Sequence, residues 1–195
     1  QRAESPELKA SESLCAHYKV RWRAVDVRWL GEVNPTLLTR EGGLPQLSTE
    51  ELDSTKASSA SMRAVWVANR NGVFLNIAAA YAEALGEKEV LAGYNIEEAA
   101  TFPDNSADFL GAVNRAFSFS TLNGVLAGSY TISWNKPRIL REALEIGLPL
   151  DLVWSCYEAG PDRCWKCESC KRSERALLSA GDLGINWLAR MGWKS

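Results

Sequence analysis

Asn71-Gly72-Val73-Phe74-Leu75-Asn76-Ile77-Ala78-Ala79-Ala80-Tyr81-Ala82-Glu83-Ala84-Leu85-Gly86 leads directly into Glu87-Lys88-Glu89-Val90-Leu91-Ala92-Gly93, and the fold assignment starts here. Phe74, Ile77, Ala78, Tyr81, Ala82 and Leu85 recur at helical spacing, and Gly86 stands where a helix ends. The short apolar run that follows, bounded by Gly93, reads as a strand lying parallel to its neighbours, as a strand after a crossover helix does.

The same alternation continues on both sides. Upstream, Ala64-Val65-Trp66-Val67 reads as a short buried strand feeding the helix, and 20–30, with Val20, Trp22, Val25, Val27 and Trp29, as another after a short helix over 6–18. Between them, 39–61 is small, polar and aperiodic, the pattern of a long surface loop that serves as a lid, as a partner-binding excursion or as plain disorder. Downstream, a helix is expected over 107–119, with Phe109, Leu110, Val113, Ala116 and Phe117 on one side and Asp104, Asn105 or Ser106 as its cap. A strand over 126–134 follows. Asn135-Lys136-Pro137 then opens a helix carrying Ile139, Leu140, Ala143, Leu144 and Ile146 and stopped by Gly147. A helix near 174–179 and an apolar tail over 187–193 close the chain. The class is α/β, a doubly wound, mostly parallel sheet with about four strands legible, which is few for a sheet buried on both faces.

Strand-to-helix mouths are where open α/β sheets bind ligands. Arg70 and Asn71 stand at one, Asp104 at a second and Lys136 at a third. From spacing alone, Asn71 and Asp104 serve equally as helix caps, and Arg70 and Lys136 as solvated cations.

Near the C-terminus, Trp154-Ser155-Cys156-Tyr157 precedes Cys164-Trp165-Lys166-Cys167-Glu168-Ser169-Cys170. Two-residue gaps let a tight turn aim successive sulfurs at one ion, and Cys156 closes a four-thiolate cage. Such a site is structural, because no coordination position stays open for water. A disulfide framework fits less well in a chain of this size that opens on no secretory leader. An iron–sulfur cluster is disfavoured by the missing Cys-Pro that follows the bacterial ferredoxin run. Zn²⁺ held by Cys156, Cys164, Cys167 and Cys170 is the expectation, fastening residues 151–195 as a zinc-binding subdomain on an α/β domain over 1–150.

The totals exclude several classes. With 195 residues, 46% hydrophobic, the chain can bury one sizeable core, and no apolar run approaches a bilayer span. A net charge of −2 with scattered Lys and Arg gives no field for direct nucleic-acid binding. A single histidine, His17, makes histidine-rich metal sites impossible. A cytoplasmic protein that contacts no membrane is expected; a homodimer is compatible with all of this.

The residues resemble the 7-cyano-7-deazaguanine synthases, members of the adenine-nucleotide α-hydrolase superfamily that carry a PP-loop. The resemblance rests on Val67-Ala68-Asn69-Arg70-Asn71-Gly72-Val73-Phe74-Leu75, on Thr101-Phe102-Pro103-Asp104-Asn105-Ser106, on Asn135-Lys136, on Leu144-Glu145-Ile146-Gly147-Leu148-Pro149, and most specifically on the Trp154-Ser155-Cys156-Tyr157 lead with its three further cysteines. It implies an enzyme that converts 7-carboxy-7-deazaguanine and ammonia to the nitrile with ATP and Mg²⁺, toward queuosine or archaeosine. A carboxylate is a poor electrophile, so it is adenylated before ammonia displaces AMP, and a second activation removes the amide oxygen. Arg70, Asn71, Asp104 and Lys136 would then face the deazapurine or the phosphates.

Two departures accompany the resemblance. The family's SGGxDS loop does not occur in these residues, which implies that a βαβ-sized piece on the order of 40 residues stands ahead of Gln1; without it, turnover of ATP is not expected. Asp104-Asn105-Ser106 also replaces the Asp-Cys-Arg of many relatives. A non-catalytic module that binds the deazapurine, and a related ligase acting on a protein acceptor, are the alternatives.

Overall fold

The structure, a computed structural model, describes residues 4–39, 43, 52 and 55–193, with backbone alone at 55–59. The chain divides into two units, 68–135 and the remainder on either side of it.

The 68–135 unit is built from α4 (Arg70–Ala84), β1 (Glu89–Leu91), α5 (Ile96–Ala99), α6 (Ala107–Ser120) and β2 (Leu126–Gly128); α1 (Glu4–His17), α2 (Trp29–Val33) and α3 (Thr55–Val65) belong to the other unit. β1 and β2 pair in parallel, with Val90 opposite Ala127. Leu75, Ala79 and Ala82 of α4 and Leu110, Val113 and Phe117 of α6 bury themselves with Tyr94, Val125 and Ala127 in one core. The crossover carrying α5 and α6 is what a parallel pair requires. Asn114 of α6 closes the unit: its Nδ2 donates to the Ala127 carbonyl at 2.9 Å and its Oδ1 accepts from the Ala127 N–H at 2.7 Å, so one side chain satisfies the free edge of β2.

Local signals placed the end of α4 and the start of α6 correctly. Gly86, at φ +75°, donates its N–H to Glu83 while Glu87 donates to Ala82, the paired bonds of a Schellman stop. Ser106 caps α6 by accepting from the Phe109 N–H at 3.1 Å. The face of α4 differs from the expected one. Phe74, Tyr81 and Leu85 are exposed and the buried line runs through Asn71, Leu75, Ala79 and Ala82, because a helix that is apolar on nearly every side offers periodicity no preferred face. Ala116 of α6 is exposed as well.

The strand expected over 126–134 stops at Gly128. Beyond it, hydroxyls turn back to the chain after β1: Ser129 Oγ accepts from the Tyr94 N–H at 3.2 Å and Thr131 Oγ1 donates to the Tyr94 carbonyl at 2.6 Å. Side chains take the place of the ladder.

The second unit contains α1 (Glu4–His17), α2 (Trp29–Val33), α3 (Thr55–Val65), α7 (Lys136–Glu145), α8 (Glu168–Leu178) and α9 (Asp182–Arg190). Two strand expectations fail here. The segment over 20–28 is irregular, with Val20, Trp22 and Val25 exposed; no described residue supplies a ladder partner, and β propensity without a partner makes no strand. Residues 64 and 65 end α3, whose Ala, Met and Arg favour helix. Arg70 therefore follows an irregular link rather than a strand end. Of the loop expected over 39–61, most lies outside the described residues, Leu52 is buried, and 55–61 is helical. Among the described residues the sheet has two strands, not four.

Leu188 and Leu177, almost fully buried, centre the core of this unit with Ala143, Leu150 and Trp187, and Leu140, Leu144, Trp165 and Trp193 pack around them. Gly147 and Gly192 give α7 and α9 the same stop that Gly86 gives α4. Ile146, expected on the apolar side of α7, is exposed. Glu168, at the start of α8, joins three segments. It accepts from Ser61 Oγ at 2.5 Å and from Arg172 at 2.9 Å, and Arg172 also donates to the Leu52 carbonyl at 3.3 Å. No helix among the described residues is long and apolar enough to cross a membrane.

Candidate metal centre and substrate site

The four sulfurs of Cys156, Cys164, Cys167 and Cys170 lie within 4.8 Å of one another. A tetrahedral zinc with bonds of about 2.3 Å spaces its sulfurs by about 3.8 Å, so the group fits Zn²⁺. Cys156, Cys167 and Cys170 are buried and Cys164 half-buried. All five cysteines of the chain are free thiols, with Cys15 apart from the cluster.

Local backbone builds the site. Trp165 takes a left-handed φ of 54°, which folds Cys164 to Cys167 into a turn tight enough for the Lys166 and Cys167 N–H groups to point at the Cys164 sulfur, at 3.4 and 3.3 Å. The Glu158 and Cys164 N–H groups approach the Cys156 sulfur at 3.4 Å each. Cys167 stands at the N-cap position of α8, with no side-chain cap bond, and Cys170 lies in its first turn, where the helix dipole favours thiolate.

The thiols respond to one another as crowded acids do. Cys156 is held far below the ordinary thiol range because Cys167 and Cys170 donate to its sulfur. Donating to Cys156 pushes Cys167 up to about 11 and Cys170 upward too, with burial adding to both. Close sulfurs cannot all ionise without a cation among them. A divalent ion supplies that charge, and four thiolates leave it no open position. Half-buried Arg163 sits beside the cluster; burial lowers its pKa, and the sulfurs of Cys170, Cys156 and Cys167 oppose that shift.

In the other unit, the start of α4 faces the turn over Pro103–Asn105. Asn69 is left-handed at φ 55°, and a Cβ on Gly72 would meet its Oδ1 at 2.0 Å. A side chain at 72 would require the Asn69 carboxamide to swing aside. Asn71, buried, donates from Nδ2 to the Asp104 carbonyl at 3.2 Å, and Asn105 donates to Asp104 Oδ1 at 3.3 Å. Burial pushes the Asp104 carboxyl up, opposed by the Asn71 backbone N–H and the Arg70 charge. Tyr94 is pushed up to about 12, first by burial and then by the Asp104 charge.

Arg70, Asn71 and Asp104 are thus brought together. Lys136 opens α7 in the other unit. Sequence reasoning passed over Tyr94 and Asn105 as members of this group; the signal was their position, one just past a short strand and the other beside Asp104. The group offers a carboxyl that takes up a proton readily, carboxamides and a guanidinium, the donors and acceptors that orient a planar heterocycle.

The family model described as queuosine biosynthesis protein QueC matches residues 1–181. Similar proteins include the 7-cyano-7-deazaguanine synthase of Pelotomaculum thermopropionicum, 48% identical over 93% of this chain and 82% of that protein. The synthase of Desulforudis audaxviator is 46% identical over 95% and 84%, and that of Methanosarcina mazei 45% identical over 93% and 80%.

Proposed function

The chain belongs to the QueC family of queuosine biosynthesis proteins, and we infer that it is a 7-cyano-7-deazaguanine synthase, an ATP-dependent enzyme that makes a nitrile from 7-carboxy-7-deazaguanine. The observation that carries this reading is identity of 45–48% to named synthases across more than nine-tenths of the chain. ATP, Mg²⁺ and structural zinc belong to the reading, with ammonia as the nitrogen donor.

The residues support it as follows. Asp104, protonated more readily than an exposed carboxyl, donates to or accepts from the edge of the deazapurine, and Asn71 holds it in place. Arg70 supplies positive charge beside it, suited to the substrate carboxylate. Lys136 is assigned to phosphate, as a point charge at a helix start. The four cysteines hold zinc and fasten 151–195, leaving the chemistry to other residues. Asn105 and Ser106 make hydrogen bonds here rather than supplying a nucleophile or a further cation. The enzyme works in the cytoplasm on a small molecule, without contacting nucleic acid, as a monomer or a homodimer.

Incubation of the full-length protein with 7-carboxy-7-deazaguanine, ATP, Mg²⁺ and ammonium, followed by mass spectrometry, tests this. The nitrile with release of AMP is expected. Binding of the deazapurine without turnover, or adenylation of a protein acceptor instead, would overturn it.

A further inference from the structure

We propose that Arg163 supplies the positive charge that balances the zinc-loaded four-cysteine centre, and so sets how tightly the chain holds its metal. The proposal rests on the reading of Cys156, Cys164, Cys167 and Cys170 as zinc ligands. Four thiolates and one Zn²⁺ leave a net double negative charge in a site whose sulfurs are mostly buried. Such a charge needs a counter-cation near it.

Arg163 has the place and the fixation for that role. It directly precedes Cys164 in the chain, and its fork spans back to the segment that carries Cys156: Nη1 donates to Ser155 Oγ at 2.5 Å and Nη2 to the Val153 carbonyl at 2.5 Å. The guanidinium lies over the Trp187 ring, 5.5 Å from its centre, so α9 holds the third side. Both hydrogen-bond partners are neutral. No carboxylate among the described residues pairs with it. A half-buried cation held by neutral groups is costly unless a negative group lies near, and the anionic groups around this one are the sulfurs of Cys170, Cys156 and Cys167. Among the other cations of this segment, Lys171 pairs with Glu174 and Arg172 with Glu168, while Lys166, between two of the cysteines, is exposed to solvent.

The test compares Arg163→Met, which removes the charge, with Arg163→Lys, which keeps it without the fork, and with Ser155→Ala, which removes one hydrogen bond only. Zinc affinity is read by competition with a chromogenic chelator on the full-length protein, and cobalt(II) put in zinc's place reports the sulfur-to-metal absorption. The Met variant should bind zinc roughly 10–100-fold more weakly, with its absorption moved to lower energy as the thiolates lose their nearby charge. The Lys and Ala variants should stay within about threefold of the parent. Equal weakening in Met and Lys would assign Arg163 a packing role and overturn the proposal, as would a Met variant indistinguishable from the parent. Should the Met variant not fold, the Lys variant decides: one zinc per chain supports the charge role, and loss of zinc contradicts it. A parent that binds no zinc defeats the zinc reading itself.

Discussion

Substituting alanine for glycine at two positions should move stability in opposite directions, and the structure says why. A Cβ on Gly184, in the first turn of α9, would sit 1.9 Å from the Leu177 carbonyl oxygen and 2.7 Å from its carbon. That is about 1.5 Å inside the 3.4 Å of ordinary contact, and the obstacle is backbone, which no rotamer change removes. α9 must back away from α8, lifting Trp187 and the fully buried Leu188 out of their core. Overpacking costs about 1–3 kcal/mol, and loosening two large core side chains adds to it, against roughly 1 kcal/mol of helix propensity gained. Gly184→Ala should therefore lose about 2 kcal/mol. Gly111, in mid-α6, is exposed and has nothing within 4 Å of a built Cβ. Gly111→Ala should gain about 0.5–1 kcal/mol through propensity and a less flexible unfolded chain. Urea unfolding monitored by tryptophan fluorescence, with zinc present, measures both. A Gly184→Ala protein as stable as the parent would refute the close approach of α8 and α9, and a destabilising Gly111→Ala would refute the description of α6.

Further expectations concern the two candidate sites. The Asp104 carboxyl is raised in the folded state by burial, so the folded chain binds the proton more tightly than the unfolded one. Its contribution to stability falls as pH rises from the ordinary carboxylate range, about 3.9, through the raised folded value, and is constant above it. Asp104→Asn should lose that part of the pH slope in chemical denaturation, while raising KM for the deazapurine. Cys167→Ser removes a metal ligand at the N-cap position of α8, a position serine itself suits; zinc content should drop well below one per chain, and stability should fall by at least about 4 kcal/mol in denaturant melts. Asn71→Ala leaves the Asp104 carbonyl short of a buried donor, at a cost of about 1–3 kcal/mol. Steady-state kinetics of that variant should show weaker deazapurine binding, and unchanged kinetics would remove Asn71 from the site.

What the sequence disclosed was set by whether the signal was local. Gly86 and Gly147 mark helix ends because only their own φ has to be left-handed, and Ser106 caps because its partner is three residues on. The four cysteines were legible for the same reason: the turn at Trp165 and the helix start at Cys167 are made by the segment itself. Strands were different. The stretch over 20–28 has the composition of one, yet a strand exists only through its neighbour, and no described segment supplies it. β2 ends where Ser129 and Thr131 bond to Tyr94, a residue 35 or more positions earlier, which no window around Gly128 can reveal. Arg163 went unremarked because its role rests on Trp187 and on sulfurs from three places in the chain.

X-ray absorption at the zinc edge of the purified full-length protein bears most directly on the claim that these four cysteines hold one metal and fasten the C-terminal helices. Stoichiometric zinc with four sulfur scatterers at about 2.3 Å is the predicted result. Substoichiometric zinc, or a shell in which oxygen or nitrogen replaces sulfur, would contradict it.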